Sequence, residues 1–92
     1  MPNPYVVTLK WTYPFCEAIG AKQVEVPLQA PTTVRLLLNE MVRHYPALRP
    51  MLEQNDEGEF MVFVLAEKSM LAMHHQVAES CTLLIVPLAF GG

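Results

Sequence analysis

Charge is scarce in this chain. Only 16% of its 92 residues are charged, against 52% that are hydrophobic, where an average domain carries about 25% charged residues. One small core is hard pressed to hide so much apolar surface, which points to a face covered by a partner. The other reading is a compact monomer of low solubility. Basic clusters are missing as well. The six Lys and Arg residues are scattered and the net charge is −3, which excludes the cationic footprint that nucleic acid requires. No apolar run approaches the ~20 residues of a membrane span. The opening MPNPYVVTLK lacks the basic-then-apolar layout of a secretion signal, so a cytoplasmic protein is expected. Cysteine is limited to Cys16 and Cys81, far apart and without metal-type spacing, so no metal site is expected. In a reducing compartment such thiols are small buried or half-buried groups. A chain of this length makes one domain, 1–92. It buries roughly 60–70% of its unfolded surface, leaving little body for a deep cleft with its own catalytic groups.

What is present is patterned. Residues 5–13 alternate, with Val7, Leu9, Trp11 and Tyr13 on one face and Val6, Thr8, Lys10 and Thr12 on the other, the period of a half-buried strand. PFCEAIGA turns the chain, with Gly20 free to take a positive φ. Val24, Val26 and Leu28 then face inward on a second strand, completing a hairpin. Thr32 or Thr33 caps a helix along which Val34, Leu37, Leu38, Met41, Val42 and Tyr45 form an apolar stripe. Arg35, Asn39, Glu40 and Arg43 take the wet side, and Pro46 ends the helix. ALRPML reads as a loose turn, and QNDEGE as a polar loop hinged at Gly58.

FMVFVL at 60–65 and LLIVPLAF at 83–90 are apolar without a break, as in strands covered on both faces. The single substantial helix can cover one face only, so the other needs a cover from outside the chain. The stretch 67–81 reads as a short strand or a helical turn. The order strand, strand, helix, strand, irregular stretch, strand predicts an α+β fold of the β-grasp arrangement. It has a mixed sheet of four to five strands and one main helix on one face. Ferredoxins of that body plan need four cysteine ligands, and two cysteines exclude them.

The chemistry is expected at the C-terminus, where the last strand runs into PLAFGG. Two final glycines arise by chance at about 0.5%, so the pair alone is a weak signal; its weight comes from directly following the final strand. A terminal carboxylate must be activated before it can react as an electrophile. Glycine lets the backbone enter a narrow channel, because no Cβ widens it. With a pKa near 3.5 the carboxylate is ionised at neutral pH, and it can attack the α-phosphate of ATP.

Trp11 to Gly20, with Glu17 and Gly20 in familiar places, TVRLLLNEMVRHYPALRPML, and VPLAFGG with Pro87 five residues before Gly92 together resemble the small subunit of molybdopterin synthase. They also resemble its relatives among the ubiquitin-like sulfur carriers. The resemblance covers nearly the whole chain. It implies a carrier rather than an enzyme, the non-catalytic subunit of a sulfurtransferase complex in molybdenum cofactor biosynthesis. Gly92 would be adenylated and then thiocarboxylated, with Gly91 keeping the tail slim. Residues 88–92 would form an extended tail, and Pro87, Leu88, Ala89, Phe90, Phe60 and Val62 would meet partners. Those partners are an adenylyltransferase related to ubiquitin-activating enzymes, which uses the ATP, and the large catalytic subunit or another acceptor enzyme. No bound cofactor is expected.

Three positions depart from the family pattern: Ala66-Glu67 replaces an Asn-Gly-type turn, Ser80-Cys81 a Gly-Asp, and Cys16 an Arg. They leave the tail chemistry untouched and bear on partner choice. The alternatives are delivery to cysteine, thiamine or a specialised metabolite, or an interaction module with no carrier chemistry. Unlike ubiquitin-type modifiers, the tail has no arginine before its glycines. Leu88, Ala89 and Phe90 suit an apolar channel, or Phe90 closes the core edge. Adjacent His74 and His75 point to opposite faces if on a strand and read as solvated. Cys81 has no adjacent base and reads as a packed thiol. Met51, Met61, Met70 and Met73 divide between core and a pliable interface, and Glu17 reads as a turn carboxylate.

Overall fold

The computed structural model describes residues 4–52 and 60–87. Strand β1, Tyr5–Trp11, buries Val7, Leu9 and Trp11, as alternation requires of a strand with one covered face. Tyr13, expected inward, is 67% exposed. The strand stops at Trp11 and the chain turns at Tyr13 and Pro14, so the period of two no longer governs it. The expected turn that follows contains a short helix, α1, Phe15–Ile19. Phe15 is buried edge-on to the Trp11 ring, with centroids 6.0 Å apart. Gly20 closes α1 at φ 83°, its N–H donating to the Cys16 carbonyl at 2.9 Å. A Cβ there would touch nothing within 4 Å, so the requirement for glycine is conformational. Strand β2, Gln23–Leu28, pairs antiparallel with β1.

Strand β3, Thr32–Thr33, leads into α2, Val34–His44. Of the two candidate caps Thr33 is the one used: its hydroxyl oxygen accepts from the Leu36 N–H at 3.2 Å, a contact whose removal costs ~1 kcal/mol. The next two orphan donors are met from far along the chain. Val34 N–H donates to the His75 carbonyl at 3.1 Å and Arg35 N–H to that of Met73 at 2.9 Å. The stripe Val34, Leu37, Leu38, Met41 and Val42 is buried, and Tyr45 at the helix end is half-buried. Pro46 ends α2 and opens a 3₁₀ turn, Pro46–Leu48. The segment beyond is less loose than its sequence implies, since Leu48 and Leu52 are fully buried. The predicted QNDEGE loop lies outside the described residues.

Strands β4, Val62–Leu65, β5, Met70–Leu71, β6, Gln76–Val77, and β7, Cys81–Pro87, complete the fold. The five-stranded sheet has the order β2-β1-β7-β4-β5, with β1 and β7 parallel at its centre, while β3 and β6 form a separate pair. The Tyr5 hydroxyl lies 2.8 Å from the Val77 carbonyl and 2.9 Å from that of Ala30, tying the start of β1 to this smaller ribbon. The stretch 67–81 therefore holds two short strands. Helix α2 packs on one face of the sheet, over Val7, Leu9, Val64, Leu83 and Ile85. The opposite face is not covered by any described element.

Candidate functional site

The last strand is also a central one. β7 lies between β1, in register from Val7↔Cys81 to Trp11↔Ile85, and β4, in register from Leu65↔Leu84 to Val62↔Pro87. The Ile85 carbonyl accepts from the Thr12 hydroxyl at 2.8 Å and from the Thr12 N–H at 3.3 Å. These contacts close the β1–β7 ladder two residues before the strand ends. Val86 and Pro87 continue beside β4 alone, and Pro87 has no N–H with which to extend a ladder. Pro87, the last described residue, thus stands at the middle of one end of the sheet. Pro87 is half-buried there. Leu88, Ala89, Phe90, Gly91 and Gly92 lie outside the described residues.

Phe60 and Val62, expected to meet a partner, are instead placed in the core, 7% and 6% exposed. Their side of β4 faces α2, along with Val64. Alternation puts Met61, Phe63 and Leu65 on the open side. There, Phe63 stands opposite Val86, and Leu65 between Leu84 of β7 and Met70 of β5. Met70 is 60% exposed and Met61 is 40% exposed, while Phe63, Leu65, Leu84 and Val86 are half-buried. The result is a continuous apolar surface reaching to Val86, with Lys10 beside Leu84. The unbroken apolar runs signalled this surface. Which parity faced outward depends on the side that α2 takes, and the runs contain no polar residue to mark it.

The weaker candidates are not assembled into a second centre. His74 and His75 are exposed, and no group of three or more metal-binding side chains occurs among the described residues. Glu17 is exposed on α1. Cys16 and Cys81 are both free and half-buried. Burial pushes the Cys81 thiol above its ordinary value, and the neighbouring Glu79 carboxylate adds to the shift. Both causes disfavour the thiolate, which is the reactive species. Iodoacetamide should therefore alkylate Cys81 more slowly near neutral pH than it does an unstructured peptide thiol. The rate should climb with pH and level off only above the raised value, later than for the peptide. Mass mapping of the labelled peptide over a pH series checks this; labelling as fast as the peptide contradicts it.

No protein-family model matches this chain, and no curated protein does. Solved structures do. Small archaeal modifier protein 1 from Haloferax volcanii is 26% identical, with 95% of this chain and 99% of that one aligned at a TM-score of 0.78. Its counterpart from Methanosarcina acetivorans is 20% identical over 98% and 99% of the two chains, with a TM-score of 0.73. A Pyrococcus furiosus protein described as molybdopterin converting factor subunit 1 is 14% identical over 92% and 99%, also at 0.73. The last two likenesses concern the fold alone. The fold is the ubiquitin-like β-grasp, as the sequence led us to expect, and the structural neighbours are small archaeal modifier proteins and a molybdopterin converting factor subunit.

Proposed function

We propose that this chain is a cytoplasmic sulfur carrier, working through the carboxylate of Gly92 as the small, non-catalytic subunit of molybdopterin synthase. The observation that carries this reading is the continuity of a central strand of a β-grasp body, through Pro87, into a Gly91-Gly92 end. In the first step a Gly92 carboxylate oxygen attacks the α-phosphorus of ATP held by a ubiquitin-activating-enzyme-like partner, and pyrophosphate leaves. Sulfur from a sulfide donor then attacks the acyl-adenylate carbon, AMP leaves, and a thiocarboxylate remains. The chain supplies no acid or base to either step; its part is to present a slim, extended end. Leu88, Ala89 and Phe90 enter the partner's channel. The open sheet face around Phe63, Leu65, Leu84 and Val86 docks beside it, in place of Phe60 and Val62.

The likeness to a modifier at 26% identity favours a second use of the same acyl-adenylate, attack by a protein amine to give an amide. Both readings are tested by intact-mass analysis after incubation with an activating enzyme, ATP and a sulfide donor. The carrier reading expects an oxygen-to-sulfur exchange on the C-terminal peptide. A covalent adduct to lysine of another protein, with no exchange, supports the modifier reading. An unchanged C-terminal peptide with every activating enzyme offered overturns both.

A further inference from the structure

We propose that two copies of this chain pair face to face through their open sheet surfaces, about a two-fold axis that runs along β7. β7 is the third of the five strands. Such an axis therefore lays β7 on β7 of the second copy, β1 on its β4 and β2 on its β5. This is the isologous arrangement of most homodimers. The opposed strands stay within about 30° of alignment, the ordinary angle between packed sheets.

Residues directly opposite one another in neighbouring strands share a face, so the register gives the open surface row by row. One row runs across the sheet as Gln23, Lys10, Leu84, Leu65 and Met70. Leu84 is at its middle and meets its own copy. The next row away from Pro87 runs Glu25, Thr8 and Thr82. Beyond Leu65 on that side comes the β4–β5 turn, which carries Glu67 and Lys68 and is closed by the Ala66 N–H donating to the Ser69 carbonyl at 2.8 Å. Lys10, Leu65, Glu67, Thr82 and Leu84 all line one open cavity of about 740 Å³. The surface is thus an apolar centre with charge on both flanks.

The two flanks are complementary under the same axis, which commits the face to a second copy. Lys10 and Glu25 stand on the β1–β2 side, Glu67 and Lys68 on the β4–β5 side, and all four are exposed. Rotation about β7 brings Lys10 over the turn that carries Glu67, and Glu25 over Lys68, each twice in the dimer. Ion pairs among the described residues are Arg43–Glu40 and His44–Glu40, both on α2, so these four side chains are not engaged there. They sum to zero, so they add nothing to the chain's net −3. Glu79, at the cavity rim before β7, lies near the axis and meets its own copy. It is exposed, so water screens that contact. Five strands about 4.8 Å apart, crossed by the rows of Thr82, Leu84 and Val86 about 6.8 Å apart, make a face of roughly 500 Å² in projection. That is near the low end for specific interfaces, so the dimer is weak and exchangeable. Phe63, Leu65, Leu84 and Val86 are also the residues proposed above to dock on the large subunit. The dimer and that complex exclude each other, and only this consequence rests on the carrier reading.

The test is sedimentation equilibrium of the full-length chain alone, from about 10 μM to about 1 mM, the range of weak association. No activating enzyme or large subunit is present, so the outcome leaves the carrier chemistry untouched. The expected result is a reversible monomer–dimer equilibrium, with amide shifts on dilution centred on Leu65 and Leu84. Lys10→Glu and Glu67→Lys change exposed side chains and should leave the circular dichroism of the parent unaltered. Each sets like charges together twice per dimer, so each should weaken association by about tenfold or more. The double variant Lys10→Glu/Glu67→Lys restores opposite charges and should return to within about threefold of the parent. A monomer at every concentration, association that continues past the dimer, equal dimerisation of all variants, a double variant as weak as the singles, or dilution shifts centred on α2 would each overturn the proposal.

Discussion

A chain lacking Gly92 should give no acyl-adenylate and no thiocarboxylate, while its thermal unfolding stays where it was. The buried apolar side chains of the described residues all lie between Val7 and Ile85, and Gly92 carries no side chain that deletion would take from them. Surface changes away from such packing usually move stability by less than about 0.5 kcal/mol. The chemistry has no such margin. Deletion leaves a carboxylate on Gly91, which is equally acidic and equally nucleophilic, but one extended residue, ~3.5 Å, short of its former position. Activation needs the oxygen in contact with the α-phosphorus, and a misplacement of even about 1 Å can cost on the order of 100-fold. Gly92→Ala separates reach from width. It keeps the chain length and adds one Cβ, so it should retain partial activity if the channel yields and lose nearly all if it does not. ATP–pyrophosphate exchange with the activating enzyme measures each variant, and circular dichroism checks the fold. A truncated chain that exchanges at the parent rate, or one that fails to fold, would contradict the assignment of Gly92.

The features legible in the sequence were those determined locally. The alternation of β1, the stripe and Thr33 cap of α2, the stop at Pro46 and the positive φ of Gly20 each depend on a few neighbouring residues. Helix α1 did not show because five residues are too few to establish a 3.6-residue period. The stretch 67–81 was opaque for the opposite reason. β6 exists because it pairs with β3, and Met73 and His75 matter through carbonyls that receive the first N–H groups of α2, some 40 residues earlier. No local pattern encodes a backbone acceptor for a distant helix. The site divides along the same line. A Gly-Gly end after a strand is a local signal, whereas the identity of the docking side chains depends on which face the helix occupies.

That last distinction yields the sharpest contrast in the molecule, between two adjacent residues of β4. Val62→Asp should unfold or nearly unfold the chain; Phe63→Asp should leave it folded and unable to dock. Val62 is 6% exposed on the side packed by α2, within an entirely apolar cluster. A carboxylate there must either ionise without a partner or hold its proton at neutral pH, and either outcome costs several kcal/mol, on the order of 3 or more. A domain of this size has a total stability of only about 5–14 kcal/mol. At 4–8 °C per kcal/mol, the midpoint should fall by more than ~12 °C. Phe63 lies one residue on and faces the other way, half-buried beside Val86 on the open side. A carboxylate there reaches water, so the expected cost is the lost packing of one ring against its neighbours, about 1 kcal/mol. The same charge sits in the middle of the open apolar surface beside Val86, where a partner would have to desolvate it. Loss of a central aromatic contact alone is worth about 2 kcal/mol or more at an interface, so affinity for the proposed large-subunit partner should drop by at least about 30-fold. Urea unfolding and titration calorimetry on the two variants read these effects independently. Equal destabilisation of both would mean that the sheet has no open face at β4, and undiminished binding by a folded Phe63→Asp chain would move the docking surface elsewhere.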